Sequence, residues 1–205
     1  MTWYGDDTLR SRAIAILSAL LGAWGRRGGY IVPSTIELPA YAYRGYLPPE
    51  RGAADQPLAS GYPLADEVLA QGLCNATIPG LGAYDLKAWM VYGSNLPTTL
   101  PDPRQTRAAI QKLDFLVAVD VLPAEICGLA DVVLPEATYL ERCDELHNPP
   151  YREPYVAVRQ EVVPPMYETK PGWWIAKELA TRLGLADFFP WADSMEYAKD
   201  RLHAA

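Results

Sequence analysis

"DFLVAVDVLPAEICGLADVVLP", residues 114–135, sets two short apolar runs on either side of a stretch that holds Pro, Gly and one acid. Both "DFLVAVD" (114–120) and "DVVLP" (131–135) have the length and β-branched content of strands. The 11-residue link from Val119 to Asp131 is about the minimum that a crossover between parallel strands requires. Upstream, "LKAWMVYG" (86–93) is a third run of strand length, and "DPRQTRAAIQKL" (102–113) between it and the second has helical composition. The alternation strand, helix, strand, short helix, strand predicts an α/β fold with a parallel sheet and right-handed crossovers.

Downstream, "YVAVRQEVV" (155–163) is again strand-like, and "PGWWIAKELATRLG" (171–184) places Trp174, Ile175, Leu179 and Leu183 on one helical stripe ended by Gly184. The sheet core is thus expected within 84–184, with a last short helix after Asp193. Upstream, a helix is expected around 64–73. From Thr8 to Ala23, Leu9, Ala13, Ile16, Leu17, Leu20 and Leu21 follow helical spacing, with Asp6 or Asp7 as cap and Gly22 and Gly25 as the stop. Residues 25–63 lose all period and fill with Gly, Pro and Tyr. A solvated linker has little need of so many amphipathic rings, so 30–62 is expected to be an extended irregular segment packed on something larger, and the most mobile part of an isolated chain. Trp3 and Tyr4 lead at once into a strong helix, which fits a piece whose preceding strand is missing as well as an ordinary short N-terminus.

The 205 residues suffice for a substantial core. A formal charge of -7, with scattered Lys and Arg, offers no positive stripe for phosphates, and nucleic acid is not an expected partner. Cys74, Cys127 and Cys143 are spaced unlike zinc or iron-sulfur ligand sets and read as structural or unpaired thiols. The longest apolar stretch, "AIAILSALLGAW" from Ala13, is too short to span a bilayer, and with the helix cap "GDDT" so close to Met1 a signal peptide is not expected before it.

Ligands of an open parallel sheet bind beyond the carboxyl ends of its strands. Three segments are expected to meet there: "YGSNLPTT", where Gly93 admits close approach and Ser94 and Asn95 offer short polar groups; Asp120; and "PEATYLER", with Glu136, Thr138, Glu141 and Arg142. Asp120 reads either as a turn or helix-cap residue, or as a carboxylate that accepts from both N1-H and the N2 amine of guanine. "GSNLP" lacks the phosphate fingerprints of dinucleotide and mononucleotide folds and can equally be an ordinary loop. With His147 alone in its loop and His203 near the end, no catalytic or metal-ligating set is assigned. Glu141, Asp144 and Glu145 are expected to form a solvated acidic face.

Taken together, "RSRAIAILSALLGAWGRRGG", "KAWMVYGSNLPTTLPD", "LDFLVAVDVLPAEICGLADVVLPEATYLER" and "KPGWWIAKELATRLGL" resemble successive blocks of the molybdopterin oxidoreductase family, which includes dimethyl sulfoxide reductase. The nearest likeness is to the catalytic subunit of polysulfide and thiosulfate reductases. The resemblance implies a Rossmann-like sheet flanked by helices, here one partial molybdopterin-guanine-dinucleotide-binding domain over 1–205. It also implies that the missing domains of the parent chain hold the molybdenum and 4Fe-4S ligands, with a second molybdopterin guanine dinucleotide. An iron-sulfur electron-transfer subunit and a membrane anchor subunit are the implied partners, at the periplasmic face of the inner membrane.

By the same resemblance, Gly93, Ser94 and Asn95 match the loop on the guanosine end of the cofactor. Val119 and Asp120 match the strand-end pair in which the acid reads guanine, Arg142 falls where some relatives carry a lysine near the cofactor, and Gly172 where several carry an aspartate. The implied parent reduces sulfur compounds such as polysulfide or thiosulfate, with this portion inactive alone. The alternative is a stand-alone nucleotide-binding or assembly module without redox chemistry. Faces buried in the parent, Trp173 or Trp191 among them, are expected to be exposed here.

Overall fold

The computed structural model describes residues 7–38, 70–80, 85–144 and 146–203. They fall into two compact units, one drawn from 1–41, 144–159 and 194–205, the other from 42–143 and 160–193.

The second unit is built on the three expected strands, β1 (Ala88–Tyr92), β2 (Phe115–Asp120) and β3 (Val132–Pro135). They run parallel in the order β1-β2-β3, with Trp89 beside Leu116, Tyr92 beside Val119, and Asp120 beside Pro135. The mixed α/β fold with a parallel sheet flanked by helices is therefore the one expected. Period-two alternation sends Trp89, Val91, Leu116 and Ala118 to one face. There they pack with Cys74, Ala109, Ile110 and Ile126 into the buried core. Two helices cover this face, α2 (Ala70–Thr77) and α4 (Pro103–Ile110), with the single turn α3 (Leu96–Thr99) leading into α4. Inside the core, the Trp89 indole donates to Thr77 Oγ1 at 3.0 Å, which lets a large amphipathic ring be buried without an orphaned donor.

Local chemistry fixes the boundaries. Asp102 Oδ1 accepts from the amides of Arg104 (2.9 Å) and Gln105 (3.1 Å), and Pro103 follows at the first helical position, so α4 starts where an N-cap and a pre-set φ coincide. The link from β2 to β3 is shorter in helix than alternation suggests, a single 3-10 turn at Cys127–Leu129. Asp131 Oδ2 then accepts from the Leu116 amide at 2.7 Å and ties that crossover to the sheet.

Helix α5 (Gly172–Arg182) ends as expected at Gly184. With φ at +75°, Gly184 donates to Thr181 O (3.2 Å), and Leu185 donates back to Ala180 O (2.8 Å), the paired bonds of a left-handed helix stop. Beyond it comes a 3-10 turn, Ala186–Phe188. The expectation of an exposed Trp191 is corrected: it is 7% exposed, and Lys177 Nζ donates to its carbonyl at 2.5 Å. Trp173 is partly covered, with the same Lys177 ammonium 5.2 Å from its ring.

In the first unit, α1 (Asp7–Leu20) is the expected amino-terminal helix, and Leu9, Leu17 and Leu20 stand exposed on it. Trp24 and Tyr30 are bridged by backbone bonds with their rings 5.3 Å apart. Of the segment expected over 30–62, residues 31–38 are irregular, with Ser34 bridged to Tyr151, and 39–62 lie outside the described residues. So do 64–69 of the helix expected over 64–73. The run 155–163 is not the strand expected. Only β5 (Ala157–Val158) forms, antiparallel to β4 (Leu146–His147). Helix α6 (Ser194–His203) is the expected last helix.

No helix among the described residues is long and apolar enough to cross a membrane.

Candidate nucleotide site at the strand ends

Parallel pairing brings the carboxyl ends of β1, β2 and β3 side by side, and the expected residues gather there. Gly93 leaves β1 at φ +57°, a conformation that disfavours any side chain, and its amide donates to Val119 O at 2.9 Å. A Cβ at Gly93 would meet nothing within 4 Å, so the backbone faces open space. Val119 is 1% exposed and contributes that carbonyl, with its side chain in the interior.

Asn95 is engaged within the protein. Its Oδ1 accepts from the Ile126 amide at 3.1 Å, and its carbonyl accepts from the Thr98 and Thr99 amides at 3.0 Å. It thereby fixes the β1 loop against the β2–β3 crossover. Ser94, partly buried, lies between Gly93 and Asn95 beside a cavity of about 390 Å³ that runs along β1 past Trp89, Met90 and Tyr92.

Asp120 is partly buried at the end of β2. Its Oδ1 accepts from the Leu122 amide at 3.2 Å, the turn-forming bond of the simpler reading. That bond occupies one carboxylate oxygen, so the turn role and a ligand contact from the other oxygen are compatible.

One residue that the sequence left without a role organises this end of the sheet. Glu136, 4% exposed, follows β3 and accepts through Oε1 from the Tyr92 hydroxyl and from the Arg142 guanidinium. Its amide donates to Asp120 O at 3.0 Å. On its other side Ala137 donates to Lys170 O (2.9 Å) and Lys170 to Pro135 O (3.1 Å), a parallel bridge that brings in the segment leading to α5. Arg142, expected at the cofactor, is thus an ion-pair partner of Glu136, and its side chain is 20% exposed. The Tyr92 phenol is pushed up to about 12, chiefly by burial, then by its hydrogen bond to Glu136 and that residue's charge. The available signal was positional: an acid one residue past β3, as Asp120 ends β2, with a tyrosine closing β1.

Gly172 adjoins the same cluster. A Cβ there would overlap the Tyr92 hydroxyl and Glu136 Oε1, so the cluster fills the space that a side chain at 172 would need.

Glu141 corrects the expected solvated acidic face. It is 6% exposed, its Oε2 accepts from the Thr138 amide and hydroxyl, both at 2.8 Å, and its Oε1 accepts from the Met166 amide at 3.0 Å. These bonds, the Thr138 amide foremost, hold its carboxyl below the ordinary value. A second cavity, about 490 Å³, lies between Leu134, Lys170 and Trp174, and Asp120 is not among its lining residues. Among the described residues no three His, Cys, Asp or Glu side chains cluster as a metal site, and His147 is exposed on β4.

The family model for molybdopterin oxidoreductases matches residues 12–182. The chain is 39% identical over 110 residues to the thiosulfate reductase molybdopterin-containing subunit of Salmonella typhimurium, covering 54% of this chain and 14% of that protein. It is 33% identical over 140 residues to the F420-dependent formate dehydrogenase subunit alpha of Methanocaldococcus jannaschii, covering 65% and 20%. Among solved structures, acetylene hydratase from Pelobacter acetylenicus superposes with a TM-score of 0.56 at 28% identity, over 65% of this chain and 18% of that one. The chain therefore spans between about a seventh and a fifth of these relatives' length. With the family model running through all three strands of the parallel sheet and its strand-end loops, the chain belongs to the molybdopterin oxidoreductase family.

Proposed function

We propose that this chain is a cofactor-binding portion of a molybdenum oxidoreductase, and that its strand ends receive the guanosine diphosphate end of a molybdopterin guanine dinucleotide. The observation that carries the reading is that Gly93, through its amide bond to Val119 O, sits at the strand end where Asp120 follows Val119. A carboxylate stands at the end of β2, next to a backbone turn at positive φ that opens onto free space. The donor set fits: Asp120 accepts from the guanine N1-H and N2 amine, while the bare backbone at Gly93 and the Ser94 hydroxyl adjoin the sugar and phosphates. When bound, the molybdenum-pterin group supplies the two-electron chemistry, and the protein supplies position and electrostatics.

For the parent enzyme, likeness to a thiosulfate reductase subunit supports a substrate with a sulfur-sulfur bond, such as thiosulfate or polysulfide. A 4Fe-4S cluster, an iron-sulfur subunit and a membrane anchor subunit at the periplasmic face complete this proposal. The present chain is proposed to be catalytically silent alone, so clear viologen-linked reduction of thiosulfate by it would refute that part.

The test is a titration of the purified chain with guanosine diphosphate against adenosine diphosphate, in the wild type and in Asp120→Ala. Saturable binding that prefers guanosine and is lost in the variant is expected. Equal binding of the two nucleotides, or binding unaffected by the substitution, removes Asp120 as the guanine reader.

A further inference from the structure

We infer that Glu136 is a positioning residue, a buried carboxylate that locks the ends of β1, β2 and the segment before α5 together so that Asp120 and Gly93 keep a fixed spacing. The inference rests on the nucleotide reading above and extends it to residues that need not touch the ligand.

Four connections meet at this position. The amide reaches Asp120 O at 3.0 Å, which holds the end of β2. The side chain reaches Tyr92, the last residue of β1, immediately before Gly93. The same Oε1 takes Arg142, so the buried negative charge is compensated locally. The parallel bridge to Lys170 brings in the approach to α5, where Gly172 leaves room for Tyr92 and Glu136 to meet. The Gly93 amide already ties the end of β1 to Val119 O of β2, and a buried carboxylate with two donors adds a side-chain crosslink from β1 to the segment beyond β3. A binding site needs its groups held within about half an ångström of the productive arrangement by such supporting contacts.

The arrangement also determines what Arg142 can do. Its charge is directed to Glu136, and an anion placed near it competes with a buried carboxylate. Removing Glu136 therefore has two opposed possible effects on nucleotide affinity. Lost positioning weakens binding, whereas a guanidinium no longer balanced by the Glu136 charge strengthens it.

The experiment uses the full chain in four forms: wild type, Tyr92→Phe, Glu136→Ala and Glu136→Gln. Guanosine diphosphate affinity is measured together with residue-resolved amide hydrogen exchange. Tyr92→Phe removes one oxygen and is the variant least able to disturb folding. Positioning predicts that Tyr92→Phe and Glu136→Ala each weaken guanosine diphosphate binding by about tenfold. Glu136→Gln, which still accepts from Tyr92, recovers most of the loss, a rescue that a charge effect alone would not give. Exchange should quicken at the amides of Gly93 and position 136, while the Leu116 amide, held by Asp131, stays protected.

Unchanged affinity and unchanged exchange in Tyr92→Phe would overturn the inference, as would tighter binding in Glu136→Ala, which would make Glu136 a mask over Arg142. If the wild type binds no nucleotide, the nucleotide reading fails on its own. The exchange pattern still decides whether Glu136 locks the strand ends.

Discussion

Tyr92 and Glu136, one closing β1 and the other just beyond β3, meet across the end of β2, the phenol donating to a carboxylate that is 4% exposed. Desolvation of the hydroxyl end first, then the bond to Glu136 and its charge, pushes the phenol up to about 12, even though the residue as a whole is 54% exposed. A group whose folded-state value is raised favours the protonated folded form. Its stabilisation is complete below the ordinary tyrosine value near 10 and is lost as pH rises from there towards 12. Urea unfolding at pH 8, 10 and 11 should show the wild type losing stability over the last interval faster than Tyr92→Phe. Parallel alkaline limbs would mean that the phenol ionises alike in both states.

The same cluster makes Gly172 sensitive for a reason other than helix propensity. A methyl group there overlaps the far ends of two side chains, not backbone, so the cheapest relief is to separate Tyr92 from Glu136. Gly172→Ala should destabilise by about 1–3 kcal/mol despite the better helix former. Adding Tyr92→Phe removes one colliding atom, so the double variant should lose less than the sum of the two single losses. Strict additivity in a denaturant double-mutant cycle would place Gly172 outside the cluster.

Much of the sheet was legible because β1, β2 and β3 are apolar runs of strand length with helical or crossover-length links between them. Gly184 was legible as a helix stop because left-handed backbone leaves few other residues able to supply it. The 155–163 run was misread because alternation in "YVAVRQEVV" reports composition, whereas pairing needs a neighbouring edge, and only Ala157 and Val158 find one. Asp120 and Gly93 could be named since strand ends are defined by the strands themselves. The roles of Glu136 and Glu141 depend on which amides and donors the folded chain brings to them. Each lies among other polar residues in "PEATYLER", and nothing local separates a buried carboxylate from a solvated one.

Asn95 illustrates two demands on one side chain. Its Oδ1 holds the Ile126 amide at 3.1 Å, and Ile126 is 1% exposed in the core. Asn95→Ala should therefore cost about 1–3 kcal/mol of stability, because it leaves a partly buried amide without its acceptor. Asn95→Asp keeps the acceptor oxygen and should recover most of that loss. Should Asn95→Ala leave the unfolding midpoint unchanged, the side chain is not anchoring the crossover, and a direct role towards a ligand gains weight.

Glu141 sets the acid side of the stability profile. Three donors, the Thr138 amide and hydroxyl and the Met166 amide, favour its ionised form, so its folded-state value lies below the ordinary 4.5. The unfolded chain then takes up this proton first as pH falls. The stabilisation is present above 4.5 and is lost as pH drops through the folded value. Glu141→Gln has one acceptor oxygen, enough for the two Thr138 donors but not for the Met166 amide as well; it carries no charge to titrate, and should flatten the wild-type fall in unfolding free energy between neutral and acid pH from a lower starting value. The test must be a difference between the two proteins, since the other carboxylates titrate in the same range. A Glu141→Gln profile that parallels the wild type down to pH 3 would show that these three hydrogen bonds hold the loop at Met166 without drawing on the charge.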